Sequence, residues 1–168
     1  MTEILIAGLM FFGMALGAEG LLSPGMEAPD FTLTDQDSVK HTLSAYKGQQ
    51  VVVYFYPKDD TPGCTKEACS IRDDYNLFEK NGIKVFGISY DDMQSHKKFA
   101  EKYELPFTLL SDMDKSISVA YGTKGLFVPS RKTFLIDEKG ILQKIYENVT
   151  VTGHGAEILA DFKALEKE

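Results

Sequence analysis

The sequence has no Cys-x-x-Cys pair, no Gly-x-Ser-x-Gly and no Gly-rich Walker loop. The usual motifs of a thioredoxin-type reductase, an acyl hydrolase and a nucleotide-binding enzyme are therefore missing. Histidine is scarce: His41, His96 and His154 stand apart, without zinc-like spacing to the cysteines, and read as surface residues. Lysine and arginine form no cluster or aromatic-interleaved stripe. With a net charge of −7, this disfavours a nucleic-acid partner. No repeat, long linker or low-complexity segment interrupts the 168 residues, enough for one domain with a full core.

No lysine or arginine occurs before Lys40, and residues Ile4 to Ala18 are uncharged and mostly apolar. As a helix this run would span roughly 22 Å, short of a ~30 Å hydrocarbon core. It reads as the apolar region of a secretory signal, with Ala15, Gly17 and Ala18 as cleavage positions, although its start lacks positive charge. Cleavage would send the protein to the periplasm or cell envelope. If retained, the segment reads as an N-terminal helix docked on the core or a partner, in a cytoplasmic protein. The boundaries are 1–22 for this segment and 23–168 for the globular domain.

The only two cysteines lie in one stretch, Pro57-Lys58-Asp59-Asp60-Thr61-Pro62-Gly63-Cys64-Thr65-Lys66-Glu67-Ala68-Cys69. It follows Val51 to Tyr56, a β-branched and aromatic run that reads as a buried strand. Cys64, Ala68, Ile71, Tyr75 and Phe78 then recur at helical spacing, putting Cys64 at the start of an apolar stripe. A cysteine there faces unpaired backbone N–H groups and the positive end of the helix dipole, which favours anionic sulfur. Cys64 is thus a candidate nucleophile, with a small buried core residue as the alternative. Pro57 and Pro62 stiffen the loop, and Gly63 permits close approach.

On a regular helix, residues five apart have Cα atoms roughly 8 to 9 Å apart. A disulfide needs under about 7 Å. Cys64 and Cys69 are therefore either two unrelated thiols or a reversible redox pair whose bonding unwinds the first helical turns.

Elsewhere, Phe31 to Leu33 and Lys40 to Leu43 read as a hairpin around Asp35-Gln36-Asp37-Ser38. Ile83 to Ser89, Phe107 to Leu110, Lys132 to Ile136 and Ile141 to Tyr146 read as strands, the last two joined at Asp137-Glu138-Lys139-Gly140. Helices are expected at Met93 to Tyr103, Lys115 to Tyr121 and Ala156 to Leu165. The pattern is α/β: a mixed sheet flanked by helices.

Pro57-x-x-x-Thr61-x-x-Cys64 resembles the active-site motif of the peroxiredoxins. Tyr54 to Lys58 with Thr61 to Thr65 and Cys69 is similar to their bacterioferritin comigratory protein, or peroxiredoxin Q, branch. The likeness continues from Ala28-Pro29-Asp30-Phe31 through Phe107 to Asp112 and Thr133 to Asp137. It implies a thioredoxin-like fold and thiol-dependent peroxide reduction. By resemblance, Cys64 is the peroxidatic cysteine and Cys69 the resolving one, closing a Cys64–Cys69 disulfide that a thioredoxin- or glutaredoxin-like donor reduces. The substrate would be a hydroperoxide, the working unit a monomer, and no metal or organic cofactor would be needed.

A reference thiol is a few per cent ionised at neutral pH, so full ionisation raises its rate by only about thirtyfold. The site must also align the O–O bond and stabilise the departing oxygen. Thr61 can place a hydroxyl near sulfur, and the N–H groups of Gly63 and Cys64 could bind peroxide oxygens. The resemblance puts a stabilising guanidinium at Arg131 and makes Pro57 a wall against bulk water. Glu67 is a weaker candidate, belonging to the helix-start network or contacting the arginine. Two other readings stay open on the residues: a redox-responsive interaction protein and a disulfide reductase.

Overall fold

The computed structural model describes residues 21–167, so the apolar run Ile4 to Ala18 and its expected cleavage positions lie outside the described residues. In chain order the strands are β1 (Thr32–Asp35), β2 (Lys40–Thr42), β3 (Val51–Phe55), β4 (Lys84–Ser89), β5 (Thr108–Ser111), β6 (Lys132–Ile136) and β7 (Leu142–Tyr146). They form one mixed sheet in the order β2-β1-β5-β4-β3-β6-β7. β3, β4 and β5 run parallel, and the hairpins β1–β2 and β6–β7 extend the two edges antiparallel.

The sheet has a core on each face. Because side chains alternate along a strand, Val52 and Tyr54 of β3 enter one core while Val51, Val53 and Phe55 enter the other. The first core is closed by α1 (Pro62–Asp73), α2 (Tyr75–Lys80), α3 (Met93–Tyr103) and α5 (His154–Leu165), through Ala68, Ile71, Phe78, Phe99, Ile158 and Phe162. Tyr121, after the short α4 (Ser116–Ala120), packs in the second with Phe31, Phe86 and Phe134. No helix among the described residues is long and apolar enough to cross a membrane.

The apolar stripe from Cys64 to Phe78 is not one helix. Asp74, at φ −101° and ψ 5°, separates α1 from α2. α1 also begins at Pro62, whose fixed φ suits the first helical position and whose missing N–H costs nothing there. α5 starts at His154 because Gly153, at φ 75°, turns the chain immediately before it.

The histidines correct the expectation of surface residues. His96 and His154 are both fully buried. His154 Nε2 lies 2.9 Å from Thr133 Oγ1 and its Nδ1 3.1 Å from Glu157. His41, half-buried, lies 2.7 Å from both Asp35 and the Tyr46 hydroxyl. A ring with a polar partner at each nitrogen can leave water at little cost.

Candidate active site

β3 ends at Phe55 in the interior of the sheet, and the loop Tyr56 to Thr61 turns the chain into α1. β6 runs antiparallel beside β3 with Lys132 opposite Phe55, so the residue before Lys132 sits at the same end of the paired strands. Arg131 and Cys64 meet there although 67 positions apart, with Arg131 Nη2 donating to Cys64 Sγ at 3.3 Å.

Thr61 precedes α1 in extended conformation without capping it. Its hydroxyl donates instead to the Lys58 carbonyl at 2.8 Å. With that proton committed, Oγ1 keeps lone pairs to accept a further hydrogen bond. The first intrahelical bond runs from Thr65 N to Thr61 O, so the N–H groups of Gly63 and Cys64 have no intrahelical acceptor. A Cβ on Gly63 would lie 3.3 Å from Arg131 Nη2; a bare backbone there lets the guanidinium reach sulfur.

Cys64 is 2% exposed and belongs to the first core. One turn on, the fully buried Glu67 pairs with Arg131 through Oε2, while its Oε1 has no partner among the described residues. Burial pushes the Glu67 carboxyl up to about 7, although the Arg131 charge and hydrogen bond pull the other way. Burial opposes the Arg131 charge too, but Glu67 and the Cys64 sulfur outweigh it and hold the guanidinium protonated. The arginine thus divides one positive charge between a carboxylate and the sulfur.

The structure brings Cys64, Gly63, Glu67 and Arg131 into contact. Cys69 lies on the same unbroken helix, partly exposed and not disulfide-bonded, in an open groove with Lys66, Ser70, Asp73, Thr152 and Gly153. Pro57 is half-buried in the loop before Thr61. A cavity of about 60 Å³ lined by Ala28, Leu43, Tyr46, Val51 and Ile136 contains none of these residues.

Sequence reading missed how the loop is held. Asp59 and Asp60 both reach α3: Asp59 lies 2.8 Å from His96 Nδ1, and Asp60 accepts from Lys102 Nζ at 2.8 Å and from the Tyr103 hydroxyl at 2.6 Å. A signal existed for His96, because residues 96, 99, 100 and 103 share one helical face with Phe99 and Ala100.

The AhpC/TSA family pattern matches residues 24–145. Peroxiredoxin Q, chloroplastic, of Oryza sativa subsp. japonica is 52% identical over 132 residues, covering 77% of this chain and 61% of its own. The chain thus spans about three fifths of the length of the plant relatives first matched. A Coxiella burnetii protein carrying the name peroxiredoxin bcp is 45% identical over 146 residues, 80% of this chain and 95% of that one. Among solved structures, the bacterioferritin comigratory protein of Xanthomonas campestris, described for its alkyl peroxide reduction activity, superposes with a TM-score of 0.79. It is 33% identical, covering 84% of this chain and 98% of the other. The neighbours share the thioredoxin fold of peroxiredoxins, which fits the mixed sheet and its flanking helices.

Proposed function

The chain belongs to the AhpC/TSA family, in its peroxiredoxin Q and bacterioferritin comigratory protein branch, and on that premise we propose that it is a thiol peroxidase for hydrogen peroxide and organic hydroperoxides. One observation carries the reading: Arg131 donates to Cys64 Sγ beside the two unused N–H groups that open α1. That arrangement favours negative charge on sulfur before the reaction and on oxygen during it.

The Cys64 thiolate attacks one oxygen of ROOH, forming an S–O bond as the O–O bond breaks. Cys64 becomes a sulfenic acid, and the departing RO⁻ takes up a proton as ROH. Thr61 Oγ1 accepts the hydroperoxide O–H, while Arg131 and the N–H groups of Gly63 and Cys64 stabilise the leaving oxygen. Pro57 restricts water. The Cys69 thiol then condenses with the sulfenic acid, releasing water and leaving the Cys64–Cys69 disulfide. A thioredoxin- or glutaredoxin-like dithiol supplies two electrons and two protons to restore both thiols. Every group this mechanism invokes lies within one chain, and the working unit proposed with it is a monomer.

Stopped-flow oxidation by hydrogen peroxide, with mass analysis of the product, tests this. Cys64→Ser should abolish peroxide consumption, and Cys69→Ser should retain one stoichiometric oxidation while losing donor-coupled turnover. Slow oxidation typical of a free thiol would instead favour a redox-responsive interaction protein. If the protein is exported, its donor must also be in the envelope; mass spectrometry of the native N-terminus decides cleavage near Ala18.

A further inference from the structure

The active-site loop is tied to α3 by two adjacent carboxylates pointing in opposite directions. Asp60 points outward to Lys102 and Tyr103, with its backbone at φ 55°, an uncommon conformation for a residue with a side chain. Asp59 points inward to a buried cluster that the peroxidase chemistry does not use.

Each side-chain polar atom of Asp59 and His96 has a partner in that inner cluster. Asp59 Oδ1 accepts from the Tyr56 hydroxyl at 2.6 Å. Asp59 Oδ2 accepts from Ser95 Oγ at 2.8 Å and lies 2.8 Å from His96 Nδ1. His96 Nε2 lies 3.1 Å from the Leu110 carbonyl on β5, and the Tyr56 hydroxyl lies 3.3 Å from Nδ1. Asp91 Oδ2 accepts from the Asp59 backbone N–H at 3.0 Å and from Ser89 Oγ at 2.7 Å. Asp59, Asp91 and His96 are close enough to suggest a cation site. The donors already facing these oxygens make it a hydrogen-bonded cluster instead.

The proton inventory is constrained. A carbonyl oxygen carries no hydrogen, so His96 Nε2 must be the donor to Leu110. The short Nδ1 to Asp59 line needs one further proton, on either atom, because two bare acceptors would repel. Burial and the neighbouring Asp59 charge push the Tyr56 hydroxyl well above its ordinary value, which keeps it a donor. The pair therefore holds one shared proton and is uncharged as a unit. That explains how an aspartate and a histidine can sit between β3, β5 and α3.

We propose that the His96–Asp59 pair is the positioning element of the peroxide site, holding the Pro57–Thr61 loop at the depth where Thr61 and the start of α1 align a hydroperoxide with Cys64. Two residues separate Asp59 from the α1 start at Pro62, so a displacement of Asp59 is transmitted to the Thr61 hydroxyl and the Gly63 and Cys64 N–H groups. Neither His96 nor Asp59 contacts the sulfur; they act through the loop. The inference rests on the peroxidase reading.

The test uses the full chain. In wild type, proton NMR should show an exchange-protected downfield signal from the pair, absent in both His96→Gln and Asp59→Asn. Both variants should slow Cys64 oxidation by hydrogen peroxide about 10- to 100-fold, while dithiothreitol reduction of the Cys64–Cys69 disulfide stays at the wild-type rate. The double variant should be no slower than the worse single one. Ser95→Ala, which removes one hydrogen bond to Asp59, should show a smaller loss in the same step and serves if the others fold poorly. Variants with lowered Tm but unchanged oxidation rates, or a wild type without the protected proton, would overturn the proposal. If wild type itself reacts slowly, the peroxidase reading fails; if only the variants stay fast, the positioning role fails alone.

Discussion

Glu67 is fully buried, one of its oxygens has no partner among the described residues, and the counter-charge it pairs with is shared with a sulfur. Its carboxyl in the folded chain stands at about 7 against an ordinary 4.5, so the folded state binds the proton more tightly than the unfolded chain does. The stability from that difference is fully present below about pH 4.5 and is lost as pH rises toward about 7, a change of at most about 3 kcal/mol. Urea unfolding between pH 5 and 8 should therefore show a fall in wild type that Glu67→Gln largely removes; parallel curves would contradict this assignment. At this scale the place of Cys64 in the first turn of a helix was legible in the sequence, because a proline- and glycine-rich loop before a helix is a local signal. The pairing of Glu67 with Arg131 was legible only as an option. It depends on the β3–β6 register, which brings distant residues to one end of the strand pair and leaves no trace in local spacing. His96 sits on the apolar face of α3, but nothing else local marks it as buried, because the Asp59 partner that permits burial lies 37 positions away.

α1 carries both cysteines and is packed tightly at its far end. A Cβ on Gly155 at the start of α5 would come within 2.5 Å of the Ser70 carbonyl and 3.1 Å of Ile71 Cα, and Gly155 N donates to Ser70 Oγ at 3.0 Å. These are mostly backbone contacts that cannot swing aside, so Gly155→Ala should push the two helices apart at a cost of about 1–3 kcal/mol. Because a Cys64–Cys69 bond requires α1 to unwind next to Ser70, the same variant should close the disulfide faster after Cys64 is oxidised. Calorimetry would read the lower Tm, and rapid-quench mass spectrometry the faster closure; lower stability with unchanged closure would mean that α5 does not restrain the unwinding. The strands were legible from their β-branched and aromatic runs, and both hairpins from their turns. The break at Asp74 was not, since Tyr75 and Phe78 continue the apolar period of the preceding helix.

The whole molecule depends on close packing across the middle of the sheet. Gly87 on β4 lies under the Tyr54 ring, where an added Cβ would meet ring and hydroxyl atoms at 2.7 and 2.8 Å and Leu109 at 2.9 Å. Gly87→Ala should lower the urea midpoint by an amount equivalent to about 1–3 kcal/mol without changing the slope, because the fault lies in the shared core. A changed slope would instead indicate an altered unfolded state or a second transition. The α/β class was legible in the alternation of strands and helices, whereas the strand order, with β1 beside β5 and β6 beside β3, is set by long-range pairing.

Placing the Cys64 sulfur inside the first core gives the chain a built-in gauge. A bulky maleimide can react at once with the partly exposed Cys69 but cannot reach Cys64 until α1 opens. With peroxide absent, the ratio of the two labelling rates measures how often the helix opens under native conditions, and Cys69 serves as the internal clock.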